Sequence, residues 1–386
     1  MAILIVPGLV ASAAVTGWRN DGTGLYPGSK FVTSWSQTEN VIWKTPLEDK
    51  SNASPVISKN KIFICKESDT LLCVKLDDGS IAWEQALAWS DHADTNLVSI
   101  RPACHGVNGY ATPTPVCDGK NVFVVFGSGI AASFDYDGNK QWVRHVGKPS
   151  HKWGHSASPM LSGKYLVIHM GNTVYALQPG TGEMVWEANS KSRWGSPLPL
   201  VIDGTDVLLT PGGDLLRSAD GKKIGQGIAK MPWTSPVVSD GIVYVVDQPG
   251  ATALQLPNTL TETFEVTKLW TATPKQDRYY SSSIVHEGLV YNISRQGFLS
   301  CLDAKTGEIV YEQRLPVVGT IYSSPCLVGE NLLVSSDSGQ MVLVRPGRSY
   351  EEIAQNKLDP FRSCPTFYKD RMYVRTMKHL YCIGGE

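Results

Sequence analysis

A small polar residue followed by proline recurs along this chain about every 40 residues. The pairs are Ser54-Pro55, Thr114-Pro115, Ser158-Pro159, Ser196-Pro197, Ser235-Pro236, Ser324-Pro325 and Cys364-Pro365, and Ser282-Ser283 fills the sixth slot without its proline. Successive gaps are 60, 44, 38, 39, 47, 42 and 40 residues. A period of this length marks one supersecondary unit copied in tandem, here eight times with one long insertion. The fold of the 386 residues is therefore set by how the copies stack.

Each unit repeats the same order. A short strand follows the pair, then a tight turn such as Asp118-Gly119-Lys120, Ser162-Gly163-Lys164 or Asp240-Gly241. Glycine supplies the positive φ that such hairpin turns need. A run of β-formers comes next, as in Ile242-Val243-Tyr244-Val245-Val246. A third strand and a further glycine turn lead to a fourth strand that ends in an aromatic. Gly79 precedes Trp83 by four residues, and the same spacing links Gly138 to Trp142, Gly182 to Trp186 and Gly307 to Tyr311. Units four and seven carry Ile224 and Ile353 in that region, and unit five reaches Trp270 by a longer turn.

Four short strands joined by turns form one antiparallel meander, which alone leaves both apolar faces wet. Arranging eight around an axis buries both faces and leaves short edges. The expected fold is all-β: an eight-bladed propeller of four-stranded antiparallel blades over residues 40–386. The last unit ends after three strands. Its missing fourth matches Asn40–Thr45, which carries Trp43, so the N-terminal strand is expected to complete the last blade.

Composition bounds the function. Lys plus Arg number 35 and Asp plus Glu 36, so the overall basic excess that non-specific nucleic-acid binding needs is missing, and no nucleic-acid partner is expected. No apolar run reaches 18 residues, and no transmembrane helix is expected. The eight cysteines, at 65, 73, 104, 117, 301, 326, 364 and 382, form no CxxC pair. They read as buried thiols rather than a zinc site, with pairings such as Cys65–Cys73 or Cys104–Cys117 left open. Residues 1–39 read as an irregular segment whose first 14 residues, MAILIVPGLVASAA, look like a short export signal without a basic start. The location expected is periplasmic or extracellular, and the state expected is monomeric.

The units resemble the PQQ-binding-like β-propeller repeat, most clearly in Thr181-Gly182-Glu183-Met184-Val185-Trp186. The resemblance covers about residues 40 to 385. It implies that the terminal aromatic wedges between neighbouring blades. Gly17-Trp18-Arg19-Asn20-Asp21-Gly22 and Asn108–Pro115 further resemble a bacterial subgroup of exported proteins without an assigned reaction. Quinoprotein alcohol dehydrogenases of this family hold their cofactor with an adjacent Cys pair, and no two Cys are adjacent here. No cofactor is expected; PQQ stays open as an alternative that the residues do not support. Another branch is the scaffold lipoprotein of the outer-membrane β-barrel assembly machine, which carries a lipobox Cys near its start; the first Cys here is Cys65.

Loops entering the innermost strands share one face of a propeller. Aromatics precede the small-polar pair in seven units: Tyr110, Trp153, Trp194, Trp233, Tyr280, Tyr322 and Phe361. His105, His155, Arg193, Arg278 and Arg362 accompany them. The expected ligand-binding set is His105, Tyr110, Trp153, His155, Arg193, Trp194, Trp233, Arg278, Tyr280, Tyr322 and Arg362. Aromatic faces stack on rings, and arginine pairs with carboxylate, sulfate or phosphate. This suits an anionic oligosaccharide or a protein partner. An insertion at 84–109 is expected to lie over the same mouth as a lid; its Asp91, His92 and Asp94 are a pattern common on solvated loops, and no metal site is expected. The leading reading is a binding module working through this face. The alternatives are a lyase or hydrolase on acidic polysaccharide, with His and Tyr as base and acid, and an assembly scaffold.

Overall fold

The computed structural model describes residues 15–385 apart from 95, 192–193, 248–249 and 262–263. The proposed export signal and Arg193 lie outside the described residues. Eight sheets follow one another around an axis. Blade one is typical, with strands Val56–Ser58, Lys61–Lys66, Thr70–Lys75 and Ile81–Ala86 from the axis outward. All neighbouring strands within its meander are antiparallel. The described residues contain one short helix, Trp89–His92.

The ring closes as the repeat arithmetic requires. Val41–Pro46 pairs antiparallel with His379–Ile383 as the outer strand of blade eight, with Trp43 opposite Cys382. This joins the two ends of the chain and removes the open edge that a three-stranded last blade would present.

The recurrent small polar residue has a physical cause. Each one donates its backbone N–H to the side chain of its counterpart in the next blade. Ser54 donates to Thr114 Oγ1 at 3.0 Å, Thr114 to Ser158 Oγ at 3.0 Å, Ser158 to Ser196 at 2.8 Å and Ser196 to Ser235 at 2.8 Å. The circuit continues from Ser235 to Ser282 at 3.0 Å, Ser282 to Ser324 at 2.9 Å, Ser324 to the Cys364 thiol at 3.3 Å and Cys364 to Ser54 at 2.9 Å. Eight buried N–H groups are thus satisfied between sheets, where no ladder bond can reach them.

The outer aromatics form a second circuit. Trp43, Trp83, Trp142, Trp186 and Trp270 donate their indole N–H to backbone carbonyls of the next blade: Leu76, Tyr136, Pro179, Ser218 and Ala304. Each indole also covers the glycine of that blade's outer turn. A Cβ at Gly79, Gly138, Gly182, Gly221 or Gly307 would collide with the arriving ring. The glycine therefore meets two demands, a positive φ of 68–90° and an empty face. The wedge role implied by the resemblance is what the structure holds.

Residues 15–39 pack against the propeller. Thr16 bridges to Cys117 on the inner strand of blade two, and Leu25–Tyr26 pairs in parallel with Leu327–Val328 of blade seven. Between them the buried Arg19 donates to the Ser283 and Pro325 carbonyls at 3.0 and 3.2 Å. This arm spans the central channel. Phe31 and Trp35 then pack over blades seven and eight, beside Phe367.

Two substitutions test these circuits. Ser196→Ala leaves the buried Ser158 N–H unpaired and is expected to cost about 1–3 kcal/mol. Trp43→Ala opens the closure seam and is expected to cost about 3 kcal/mol. Denaturant unfolding should show both as a lower midpoint at unchanged slope.

Candidate functional site

The loops before the small polar residues gather around a funnel of about 430 Å³ on the axis. Seven of the expected residues line it: His105, Trp153, Trp194, Trp233, Tyr280, Tyr322 and Arg362. Trp18, from the channel-crossing arm, joins them. The circuit of Ser54, Thr114, Ser158, Ser196, Ser235, Ser282, Ser324 and Cys364 forms the base of the wall.

The rings make a continuous arc through blades three to seven. Trp153 lies 5.7 Å from Trp194 and 6.2 Å from Trp233 between ring centroids. Trp194 and Trp233 stack face to face at 4.3 Å and 6°. Tyr280 meets Trp233 edge-on at 5.5 Å and stacks on Tyr322 at 5.3 Å and 4°. Offset and edge contacts of this kind stabilise aromatic pairs beyond simple burial. Arg278 sits 5.9 Å from the Trp233 ring centroid and is exposed. Arg362 covers Tyr322 at 4.7 Å and pairs with Asp337 at 3.5 Å.

The end of the insertion forms part of the funnel wall. His105, Val107 and Asn108 line the funnel. Asn52 Nδ2 donates to the Val107 carbonyl at 3.1 Å, and Asn108 Nδ2 donates to the Trp153 carbonyl at 2.5 Å. Behind this wall Arg101 pairs with the buried Asp69 at 2.5 Å and lies 4.2 Å from the Tyr110 ring. Burial raises the Asp69 carboxyl to about 6 against the opposing pull of Arg101. Cys104 is exposed and Cys117 buried, and both are free thiols, so the Cys104–Cys117 pairing is not formed. All eight cysteines are free. Asp91, His92 and Asp94 gather no metal-binding group among the described residues.

Two expected residues turn inward. Tyr110 is buried in the core shared by blades one and two, and its hydroxyl donates to the Pro102 carbonyl at 2.6 Å. His155 is fully buried, and desolvation, with His169 nearby, lowers it to about 3. It is neutral at neutral pH and is not part of the funnel lining. Phe361 is likewise in the core. His105 accepts the Val107 and Asn108 amides on Nδ1, both at 3.3 Å. The base–acid pair of a lyase reading is therefore not assembled from His155. Sequence reasoning missed Trp18 and the hydroxyl circuit as funnel residues, although Gly17-Trp18-Arg19 and the repeated small polar residues were visible.

Similarity to known proteins places the chain in a family. The family model described as outer membrane protein assembly factor BamB matches residues 30–250 and 265–381. The chain belongs to this family. A curated relative, the BamB of Yersinia pestis, is 22% identical over 331 residues, covering 79% of this chain and 77% of its own length. Among solved structures, BamB from Moraxella catarrhalis superposes with a TM-score of 0.64 at 14% identity, covering 89% of this chain and 99% of its own. A quinohemoprotein alcohol dehydrogenase from Pseudomonas putida gives 0.63 at 12% identity, over 97% of this chain and 80% of its own. The propeller is thus shared by assembly factors and redox enzymes, and the fold by itself selects neither.

The buried histidine generates a pH test. A histidine depressed in the folded state takes up a proton on unfolding, so its stabilisation is lost as pH falls below about 6.5 toward its folded value. His155→Gln should therefore lose less stability than the wild type between pH 7 and pH 5. Parallel melting curves at the two pH values check the difference.

Proposed function

We propose that this chain is a docking scaffold of the outer-membrane assembly type, working in the periplasm and holding a protein partner against its mouth face. The observation that supports it most is a set of five exposed apolar side chains on the loops at that end of the blades. Trp153 and Val107 line the funnel, and Leu97, Ile100 and Val318 project from the surrounding loops with relative exposures of 53%, 79% and 70%. Large apolar side chains left exposed around a cavity suit contact with another protein. Membership of the assembly-factor family points the same way, because its named members assemble outer membrane proteins. No helix among the described residues is long and apolar enough to cross a membrane. An anionic oligosaccharide, the other occupant expected, draws no support from these relatives.

The test is site-specific cross-linking in the native envelope. A photoreactive residue at Val318 should capture a subunit of the outer-membrane assembly machinery. One at Val201, at the far end of the inner strand of blade four and 59% exposed, should not. Equal capture at both sites, or capture at Val201 alone, defeats the reading.

A further inference from the structure

The mouth is chemically lopsided. Five loops lead into the inner strands of blades three to seven: segments 146–159, 190–197, 226–236, 273–283 and 315–325. Together they contain one carboxylate, Asp277. It is buried, and its Oδ1 lies 3.5 Å from Arg295. In the neighbouring turns, Asp214 pairs with Lys223 at 3.0 Å and Asp247 is also engaged. The same loops carry Lys152, Lys191, Lys230 and Arg278, all exposed and without an ion pair among the described residues. The chain is neutral overall, yet this half of its mouth is cationic.

The base of that half is rich in donors. Ser158, Ser196, Ser235, Ser282 and Ser324 use their hydroxyl oxygens to accept the preceding blade's N–H. Among the described residues, none of these hydroxyls donates to a protein atom, so each keeps a proton for an acceptor in the funnel. The Trp153 and Trp233 indole N–H groups also lack a protein acceptor among the described residues. The five wedge tryptophans differ, since each donates to the next blade. Donors without acceptors, beneath unpaired cations, select an anion.

We infer that this half of the funnel receives an acidic, extended segment of a partner protein, with its carboxylates on the cationic rim and hydroxyl base and its apolar side chains on the aromatic arc. The inference rests on the docking-scaffold reading. A peptide fits better than an acidic sugar for two reasons. Trp194 with Trp233, and Tyr280 with Tyr322, cover one another's faces, which reduces the open platform that a flat sugar ring needs. Val318, in the loop that leads to Tyr322, is also 70% exposed, and an apolar side chain there favours apolar groups in the occupant. A cavity of about 430 Å³ admits only a few residues of an extended chain, so the remainder would lie along the rim.

The experiment titrates the full chain with a synthetic hexapeptide of alternating Glu and Phe, following tryptophan emission. The same peptide with Lys for Glu, trigalacturonate and citrate serve as comparisons. Saturable binding of the acidic peptide alone is expected. The double variant Lys230→Glu, Arg278→Glu should weaken it roughly tenfold or more, as loss of two charge pairs predicts. Should that variant melt early, Lys152→Glu with Lys191→Glu repeats the test on other loops. Equal binding of the Lys peptide, indifference to both charge reversals, or tighter binding of trigalacturonate or citrate would overturn the assignment. Mouth-face cross-links formed in cells, without acidic-peptide binding, would remove this inference and leave the scaffold reading standing. Loss of both results would remove both.

Discussion

The structure depends on a circuit of eight hydrogen bonds about the axis. A backbone N–H at the start of each inner strand faces the neighbouring blade, where no strand pairs with it. Left alone, such a buried donor costs about 1–3 kcal/mol. A short side chain with an acceptor on the next blade resolves this eight times, with the Cys364 thiol serving once. Short side chains are required because the inner strands converge there. The same requirement produces the repeat in the amino-acid sequence.

Two populations of tryptophan follow from this geometry. The wedge group lies at the outer strands, donates to a backbone carbonyl and fills the space above a glycine. The funnel group lies on the loops, with its rings against one another. The difference lies in the fate of the indole N–H, satisfied in the first group and without a protein acceptor among the described residues at Trp153 and Trp233 in the second. The first holds the ring of blades together. The second, with the acid-poor loops around it, gives one half of the mouth a chemical character that the net charge of −1 conceals.

The repeat was legible because every copy solves the same packing problem, so the Ser-Pro pair and the Gly-to-Trp spacing recur. Blade number and closure through Trp43 follow from counting. The direction in which individual loop side chains point does not. Tyr110 and His155 sit at the right place in their repeats, yet the Tyr110 hydroxyl turns to Pro102 and His155 sinks into the core. The chain-order position of a loop residue sets its end of the blade, while neighbouring loops decide whether it faces the core or the funnel. The channel-crossing arm at 15–26 was hidden for a related reason. It is short and irregular, and its partners lie 101 and 302 residues away, at Cys117 and Leu327.

By itself the sequence determined the number of blades, their strand order, the seam between the chain ends and the loops that meet at one mouth. Each of these is local or repeated, and so leaves a period that can be read. Only the tertiary structure decided which side chains line the funnel, that Trp18 enters it, and that the carboxylates near the arc are already engaged. Those outcomes arise from contacts between distant segments, where burial and pairing are settled by the closed ring and leave no periodic trace in the chain.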